Sequence, residues 1–123
     1  MNREIKFRVW DKEGKRWCPD YFGNNQFTLN QHFIDDRVIF QQFTGLLDEN
    51  DKEIYEGDII EIISKKKGYI KNFIIKYDEW GFCAYEINEI DKHNYKIHIF
   101  TYKGKTYSTV VGNIFENPEM LKK

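Results

Sequence analysis

Cysteine, proline and the strongest helix-forming residues are scarce in this sequence. Its 123 residues include two cysteines, two prolines, one alanine and four leucines. Cys18 and Cys83 are far apart, and neither belongs to a Cys-x-x-Cys pair. This spacing argues against a disulfide framework or a one-loop metal site, and it favours two small buried hydrophobic side chains.

Long apolar runs are also missing. The pairs Ile59-Ile60 and Ile62-Ile63 are separated by Glu61, whereas a membrane-spanning helix needs about 20 apolar residues. The first residues carry charge and contain no apolar segment of the kind found in secretory leaders. We therefore expect a cytoplasmic protein with no membrane partner.

Recognisable catalytic and cofactor motifs are absent. Ser64 and Ser108, the two serines, do not lie in a Gly-x-Ser-x-Gly context, and no glycine-rich phosphate loop occurs. His32, His93 and His98 lack the spacing of a zinc motif. The sequence therefore predicts no catalytic residues, no cofactor and no metal site, and we expect a protein that is not an enzyme.

The residues that are abundant favour β-structure. The chain has sixteen isoleucines, ten phenylalanines, eight tyrosines and three tryptophans, and such side chains suit a pleated, half-buried strand. Short alternating segments are separated by turn residues about every 10 positions, which is typical of a small barrel or meander. We predict one mainly β domain over residues 1–123, similar to a small SH3-like barrel. Its predicted core includes Ile60, Ile62, Phe73 and Ile75.

The end of the chain carries a helix start signal. Asn117 can cap a helix, Pro118 suits its first position, and Glu119 places an acid in the first turn. We therefore predict one or two helical turns over Asn117–Lys122.

Three stretches together resemble a known family. They are Ile5–Asp11, Gln42–Ile60 and Val111–Glu119, and in this order and spacing they are similar to the YopX family of bacteriophage and prophage proteins. The resemblance covers about residues 3–121. It implies a small, mainly β, phage-encoded protein of the bacterial cytoplasm, with no established biochemical role and no catalytic residues to transfer. The matching positions are Phe7, Arg8, Trp10, Asp11, Thr44, Gly45, Tyr55, Glu56, Gly57, Asp58, Asn113, Glu116, Asn117 and Pro118.

The resemblance leaves two interpretations of these positions open. They can be structural, as turn glycines, core aromatics and a helix cap, or the charged ones can form one site. That site would contain Arg8, Asp11, Glu56, Asp58 and Glu116. The family usually has glycine at Asp51, and we expect Asn50 to provide the positive φ that this turn requires.

A basic hairpin raises the possibility of nucleic-acid binding. Lysines at a turn are followed by an aromatic residue and a further lysine, a combination with which small barrels bind single strands. The residues are Lys65, Lys66, Lys67, Tyr69 and Lys71. The net charge of −1 argues against this function, and turn lysines also protect strand edges from aggregation.

Protein interaction is the function we favour from the sequence. Aromatic residues make up 17% of the chain, and several lie in or beside predicted loops, where they would be partly exposed. These are Trp17, Tyr21, Trp80 and Tyr102. Exposed aromatic patches are typical of protein interfaces. We therefore expect a homo-oligomer that also binds a host or phage protein.

Overall fold

A computed structural model describes residues 5–19, 37–78, 81–87, 96–98, 101–102 and 105–122. Within these ranges the protein is mainly β, as the sequence predicts. The strands are β1 (Phe7–Asp11), β2 (Arg16–Trp17), β3 (Val38–Leu47), β4 (Glu53–Tyr55), β5 (Asp58–Ser64), β6 (Tyr69–Asp78), β7 (Gly81–Glu86), β8 (Lys96–His98), β9 (Thr101–Tyr102), β10 (Lys105–Thr106) and β11 (Thr109–Asn113).

The first sheet has the order β2-β1-β3-β10-β9, and β4 also pairs with β3. Strand β1 runs antiparallel to β3, with Val9 opposite Phe40, whereas β10 is parallel to β3. The β3–β4 pairing shifts register between Phe43 and Leu46. Gly45, inside this irregularity, has a φ of +86°, a conformation that favours glycine.

The second sheet has the order β11-β5-β6-β7-β8 and is antiparallel throughout. Strands β5 to β8 form a meander, and β11 returns from the chain end to pair with β5. Ile60 lies opposite Phe73 and Ile75 opposite Ala84, so these side chains share one face of the sheet.

The core lies between the two sheets. Ile60, Phe73, Ile75 and Ala84 of the second sheet pack with Ile54 of β4, and all five are at most 3% exposed. Full burial of one such large side chain contributes about 1.5–3 kcal/mol. The predicted core positions 60, 73 and 75 are therefore buried, while the predicted core residue at position 62 is only partly buried against the same cluster.

Strand β5 is covered over only part of its length. Ile59 and Ile60 are buried, but Ile63 is 55% exposed. The strand continues outward from the packed cluster to the turn that joins it to β6. The isoleucines of β5 lie on both faces of the strand, and both faces are buried only at its beginning.

Two local features differ from the sequence predictions. Asp51, not Asn50, adopts the positive φ, at +66°. The chain end forms a short 3₁₀ helix, Pro118–Lys122, in which Met120 N–H donates to the carbonyl of Asn117. The Asn117 side chain does not cap this helix, because its Oδ1 accepts a hydrogen bond from the preceding Asn113 N–H at 3.2 Å.

Across the described ranges, none of the helical structure is long and apolar enough to span a membrane.

Candidate functional site

Arg8 of β1 is the centre of a polar network that joins both sheets. Its Nε and Nη2 donate to Gln41 Oε1 at 2.9 and 2.7 Å. Nη2 also donates to Asp58 Oδ1 at 2.6 Å and to the carbonyl of Glu56 at 3.4 Å. We call these four residues the Arg8 network. It connects β1 and β3 of the first sheet to the start of β5 in the second.

Aromatic rings flank the Arg8 guanidinium. Its Cζ lies 4.2 Å from the ring centroid of Trp17 and 4.8 Å from that of Tyr55. Trp17 also packs edge-on against Trp10, and Trp10 stacks on Phe115 with centroids 5.1 Å apart. These cation–π and aromatic contacts hold the guanidinium in place and link β1 to the segment after β11.

Asp58 is the buried acid of the network, with 2% of its surface exposed. Its Oδ2 accepts a hydrogen bond from Tyr55 N–H at 2.8 Å, so both carboxylate oxygens have partners. Burial raises the pKa of Asp58, while Arg8 and the Tyr55 N–H oppose the rise. The result is a desolvated ion pair in which the loss of either partner is costly.

Gly57 brings the network together because the backbone passes very close to Gln41. Its φ is +84°, its N–H donates to the Ile75 carbonyl at 2.7 Å, and its carbonyl accepts from Ile114 N–H at 3.0 Å. A Cβ at this position would lie 2.0 Å from Gln41 Nε2. Only glycine fits both this conformation and this contact.

The turn after β11 is attached to the network through Trp17. Glu116 Oε1 accepts from Trp17 Nε1 at 2.5 Å and from Asn113 Nδ2 at 2.8 Å. These hydrogen bonds, the one from Trp17 first, lower the pKa of Glu116. Asn113 Oδ1 in turn accepts the backbone N–H groups of Phe115 and Glu116. The turn therefore holds the carboxylate at the N–H edge of the indole.

Two residues that organise this region are absent from the sequence-based site. Gln41 carries no local signal, since a glutamine in a strand is unremarkable until its partner strand is known. Asp48 could have been recognised from the polar turn that it begins. It is 1% exposed and accepts backbone N–H groups from Asn50, Lys52 and Val110, which ties the β3–β4 turn to β11.

Four of the five charged residues that the sequence groups together do lie in or beside the network. Arg8 and Asp58 pair directly, Glu56 contributes its carbonyl, and Glu116 is connected through Trp17. The Glu56 side chain instead accepts the N–H of Gln42 at 2.9 Å. Asp11 closes its own turn, accepting the N–H groups of residues 13 and 14.

Two cavities open beside Arg8 and Trp17. The first, of about 360 Å³, lies against the turn after β11, and we call it the C-terminal pocket. Its lining consists of Arg8, Trp17, Lys52, Asp58, Val110, Val111, Gly112, Asn113, Glu116 and Asn117. The second, of about 350 Å³, is lined by Phe7, Arg8, Val9, Trp17, Cys18, Pro19 and Tyr55. Many positions that carry the family resemblance thus surround two small cavities.

A second candidate region is the outer end of the β5–β6 hairpin. Ile63 and Ile70 are cross-strand partners and are 55% and 67% exposed, and the three lysines of the intervening turn are exposed as well. We call this set the hairpin surface: Ile63, Lys65, Lys66, Lys67 and Ile70.

The other predicted nucleic-acid residues have partners within the protein. Lys71 Nζ lies 3.4 Å from Glu86 Oε1 and 4.7 Å from the ring centroid of Tyr69. Its charge is thus partly balanced, and its ammonium group already occupies a face of the Tyr69 ring.

The predicted interface aromatics are not brought together in the described ranges. Trp17 is half-buried among the contacts above, at the end of β2. Tyr21 and Trp80 lie outside the described residues, and Tyr102 is placed in β9 without a described side chain.

Comparison with known proteins agrees with this architecture. The model of the YopX protein family matches residues 20–122, so the chain belongs to the YopX family. The motif at Ile5–Asp11 lies before the matched range. The crystal structure of protein EF1440 from Enterococcus faecalis is similar in fold, with a TM-score of 0.60, 23% identity and coverage of 98% of this chain and 99% of that one. A search of curated proteins finds no match.

Proposed function

We propose that this protein is a non-enzymatic interaction module, encoded by a phage or prophage and acting in the bacterial cytoplasm, that associates with itself through the hairpin surface. The observation that carries the proposal is the exposed cross-strand pair of Ile63 and Ile70. A phage or host protein with an acidic surface would bind to the same hairpin surface.

The energetic argument concerns apolar surface left in water. Full burial of an isoleucine side chain contributes about 1.5–3 kcal/mol, and more than half of each of these two side chains remains exposed. Because they are adjacent, a single partner surface can cover both. Adjacent apolar side chains rimmed by charge are a common feature of protein interfaces.

The charge distribution favours a second copy as the partner. The net charge is −1, and without the +3 of Lys65, Lys66 and Lys67 the remainder of the chain carries −1 − 3 = −4. Two hairpin surfaces placed tip to tip would repel each other. A contact between one hairpin surface and an acidic region of another copy, such as exposed Glu49 and Asp51, is electrostatically complementary.

Light scattering with matched variants tests this proposal. The wild-type protein is expected to show a mass above its 15.0 kDa monomer, and the double variant Ile63→Thr/Ile70→Thr to shift toward the monomer. Threonine keeps the β-branched shape while removing apolar surface. Ile5→Thr is the control, since Ile5 is 69% exposed elsewhere on the protein. A strictly monomeric wild type, or equal loss of mass in the control, would contradict the proposal.

Binding of single-stranded nucleic acid is the second candidate. It is favoured by three exposed lysines at the tip of the β5–β6 hairpin with Tyr69 nearby. The Lys71–Glu86 pair and the ammonium over the Tyr69 ring weigh against it, because a base would have to displace that ammonium group in order to stack. For this reason we place the protein partner first.

A further inference from the structure

The C-terminal pocket is lined by apolar side chains and by side chains that carry hydrogen-bond donors, together with the acids Asp58 and Glu116. Trp17 and Val111 contribute apolar surface, and Arg8, Lys52 and Asn117 contribute nitrogen atoms. Its volume, about 360 Å³, lies within the range of small-molecule sites. The pocket is separate from the hairpin surface, so ligand binding in the pocket does not depend on the proposed function.

Arg8, which lines both this pocket and the second cavity, has one uncommitted donor group. Its Nε and Nη2 are used by Gln41, Asp58 and the Glu56 carbonyl. Nη1 has no acceptor among the residues that the structure describes, and it is not among the atoms sealed from solvent without a partner. Hydrogen bonds through Nε and Nη2 thus hold the guanidinium in place, and Nη1 can still donate to a ligand.

Lys52 and Asn117 supply two further donor groups. The Lys52 side chain is exposed, and its ammonium group has no acceptor in the described ranges. Asn117 Oδ1 accepts from Asn113 N–H, which orients the amide, and Nδ2 has no acceptor in the same part of the chain. Three nitrogen groups around one cavity therefore have hydrogen-bonding capacity that the protein does not use, an arrangement suited to an oxyanion.

We propose that the C-terminal pocket binds a small organic monocarboxylate, with the carboxylate on the Arg8, Lys52 and Asn117 donors and an apolar body against Trp17. The charge of the lining selects this class over phosphate. Arg8 and Lys52 are balanced by Asp58 and Glu116, so the lining has no net charge, and the repulsion between a ligand and these two carboxylates is greater for two negative charges than for one. The source can be a free acid or the C-terminus of a peptide, which share this chemistry.

The first test is an NMR titration of the full chain. The indole N–H of Trp17, which donates to Glu116 at the pocket wall, provides a local signal. Benzoate is expected to shift it saturably with a dissociation constant near 1 mM, as for a small fragment. Benzamide, the neutral equivalent, and inorganic phosphate should bind at least tenfold more weakly. Equal binding of benzamide, or tighter binding of phosphate, would overturn the proposal.

Two variants test whether the Lys52 and Asn117 side chains donate to the benzoate carboxylate. Lys52→Gln removes a charge that interacts electrostatically with Asp58 and Glu116 but has no hydrogen-bond acceptor in the described ranges, and it should weaken benzoate binding about fivefold. Asn117→Asp keeps the oxygen that accepts from Asn113 and replaces the donor by an acceptor, and it should weaken binding about tenfold. Lys66→Gln, on the hairpin surface, should leave benzoate binding unchanged. Identical affinities for the Lys52 and Lys66 variants would overturn the proposal.

Titration with a short apolar peptide distinguishes the two sources. A peptide with a free C-terminus that binds more tightly than benzoate, and loses that affinity on C-terminal amidation, would identify the ligand as a chain terminus. Equal weak binding of both peptides, with benzoate binding intact, would identify a free acid.

Discussion

Gly57 adopts a φ of +84° directly against the Gln41 side chain, so closely that a Cβ would lie 2.0 Å from Nε2. That amide group is the one that orients Arg8 through two hydrogen bonds. The glycine of the Tyr55–Asp58 turn thus matters for more than turn formation, since it makes room for the support of the buried arginine.

The first prediction compares two glycines with similar backbone angles. Gly57→Ala should lower the free energy of unfolding by about 3 kcal/mol, because the methyl group adds a clash to the conformational strain. Gly68→Ala is the matched control: its φ is +70° and a Cβ there would meet nothing within 4 Å. It should cost only about 1 kcal/mol. Urea unfolding measures both, and equal losses would show that Gln41 simply moves aside.

The second prediction concerns the buried ion pair. Arg8→Met removes the partner of a carboxylate that is 2% exposed and should destabilise the protein by about 3–5 kcal/mol at neutral pH. The loss should shrink as pH falls, because the carboxyl group can then be buried in its neutral form. Unfolding curves at several pH values measure the difference between the variant and the wild type.

The sign of this pH dependence follows from the effect of Arg8 on Asp58: Arg8 lowers the pKa of Asp58, so its removal raises that pKa further. Burial raises the pKa of Asp58 above its ordinary 3.8, so the folded state holds this proton more tightly than the unfolded state. The contribution of Asp58 to folding stability is complete below its pKa in the unfolded state and is lost as pH rises through its pKa in the folded state. In an Asp58→Asn background the pH dependence of the Arg8→Met effect should disappear. A loss that stays constant across pH would contradict the assignment to Asp58.

The third prediction follows from the hydrogen bond between Trp17 and Glu116. That bond lowers the pKa of Glu116 below its ordinary 4.5. Its small contribution to folding stability is therefore present above the pKa that Glu116 has in the unfolded state, and it is lost as pH falls through the pKa in the folded state. The NMR signal of the Trp17 indole N–H should therefore titrate with a midpoint below 4.5. Glu116→Gln should abolish the titration and leave the fold intact. A midpoint above 4.5, or none in the wild type, would contradict the geometry.

Alternation along the strands was sufficient to predict much of the fold. The β5–β6 hairpin follows from an isoleucine-rich strand, a lysine-rich turn and an alternating second strand, and Ile60 and Phe73 are buried as predicted. These features are local, because strand faces and turns are determined by neighbouring residues.

The candidate site depends on contacts that local patterns do not encode. Gln41 meets Arg8 only because β3 pairs with β1. Trp17 meets Glu116 across a separation of 99 residues. This contact, together with those to Arg8 and Phe115, explains why Trp17 is half-buried. The family resemblance marked many of these positions without showing that they converge.

The fourth prediction concerns nucleic acid. At about 150 mM salt we expect single-stranded DNA to bind no more tightly than about 100 μM, the weak end of non-specific binding. Fluorescence anisotropy with an oligothymidine measures this affinity, and the triple variant Lys65→Gln/Lys66→Gln/Lys67→Gln is the comparison. A dissociation constant below about 1 μM that the triple variant loses would favour the nucleic-acid function instead.

The most direct test of the proposed function is a concentration series of methyl spectra with isoleucine δ1 labelling. Between about 10 μM and 1 mM, a range that captures weak association, the methyl signals of Ile63 and Ile70 should shift together. The signal of Ile5, which is similarly exposed at 69%, should remain in place. An increase in mass without movement of the Ile63 and Ile70 signals, or with equal movement at Ile5, would contradict association through the hairpin surface.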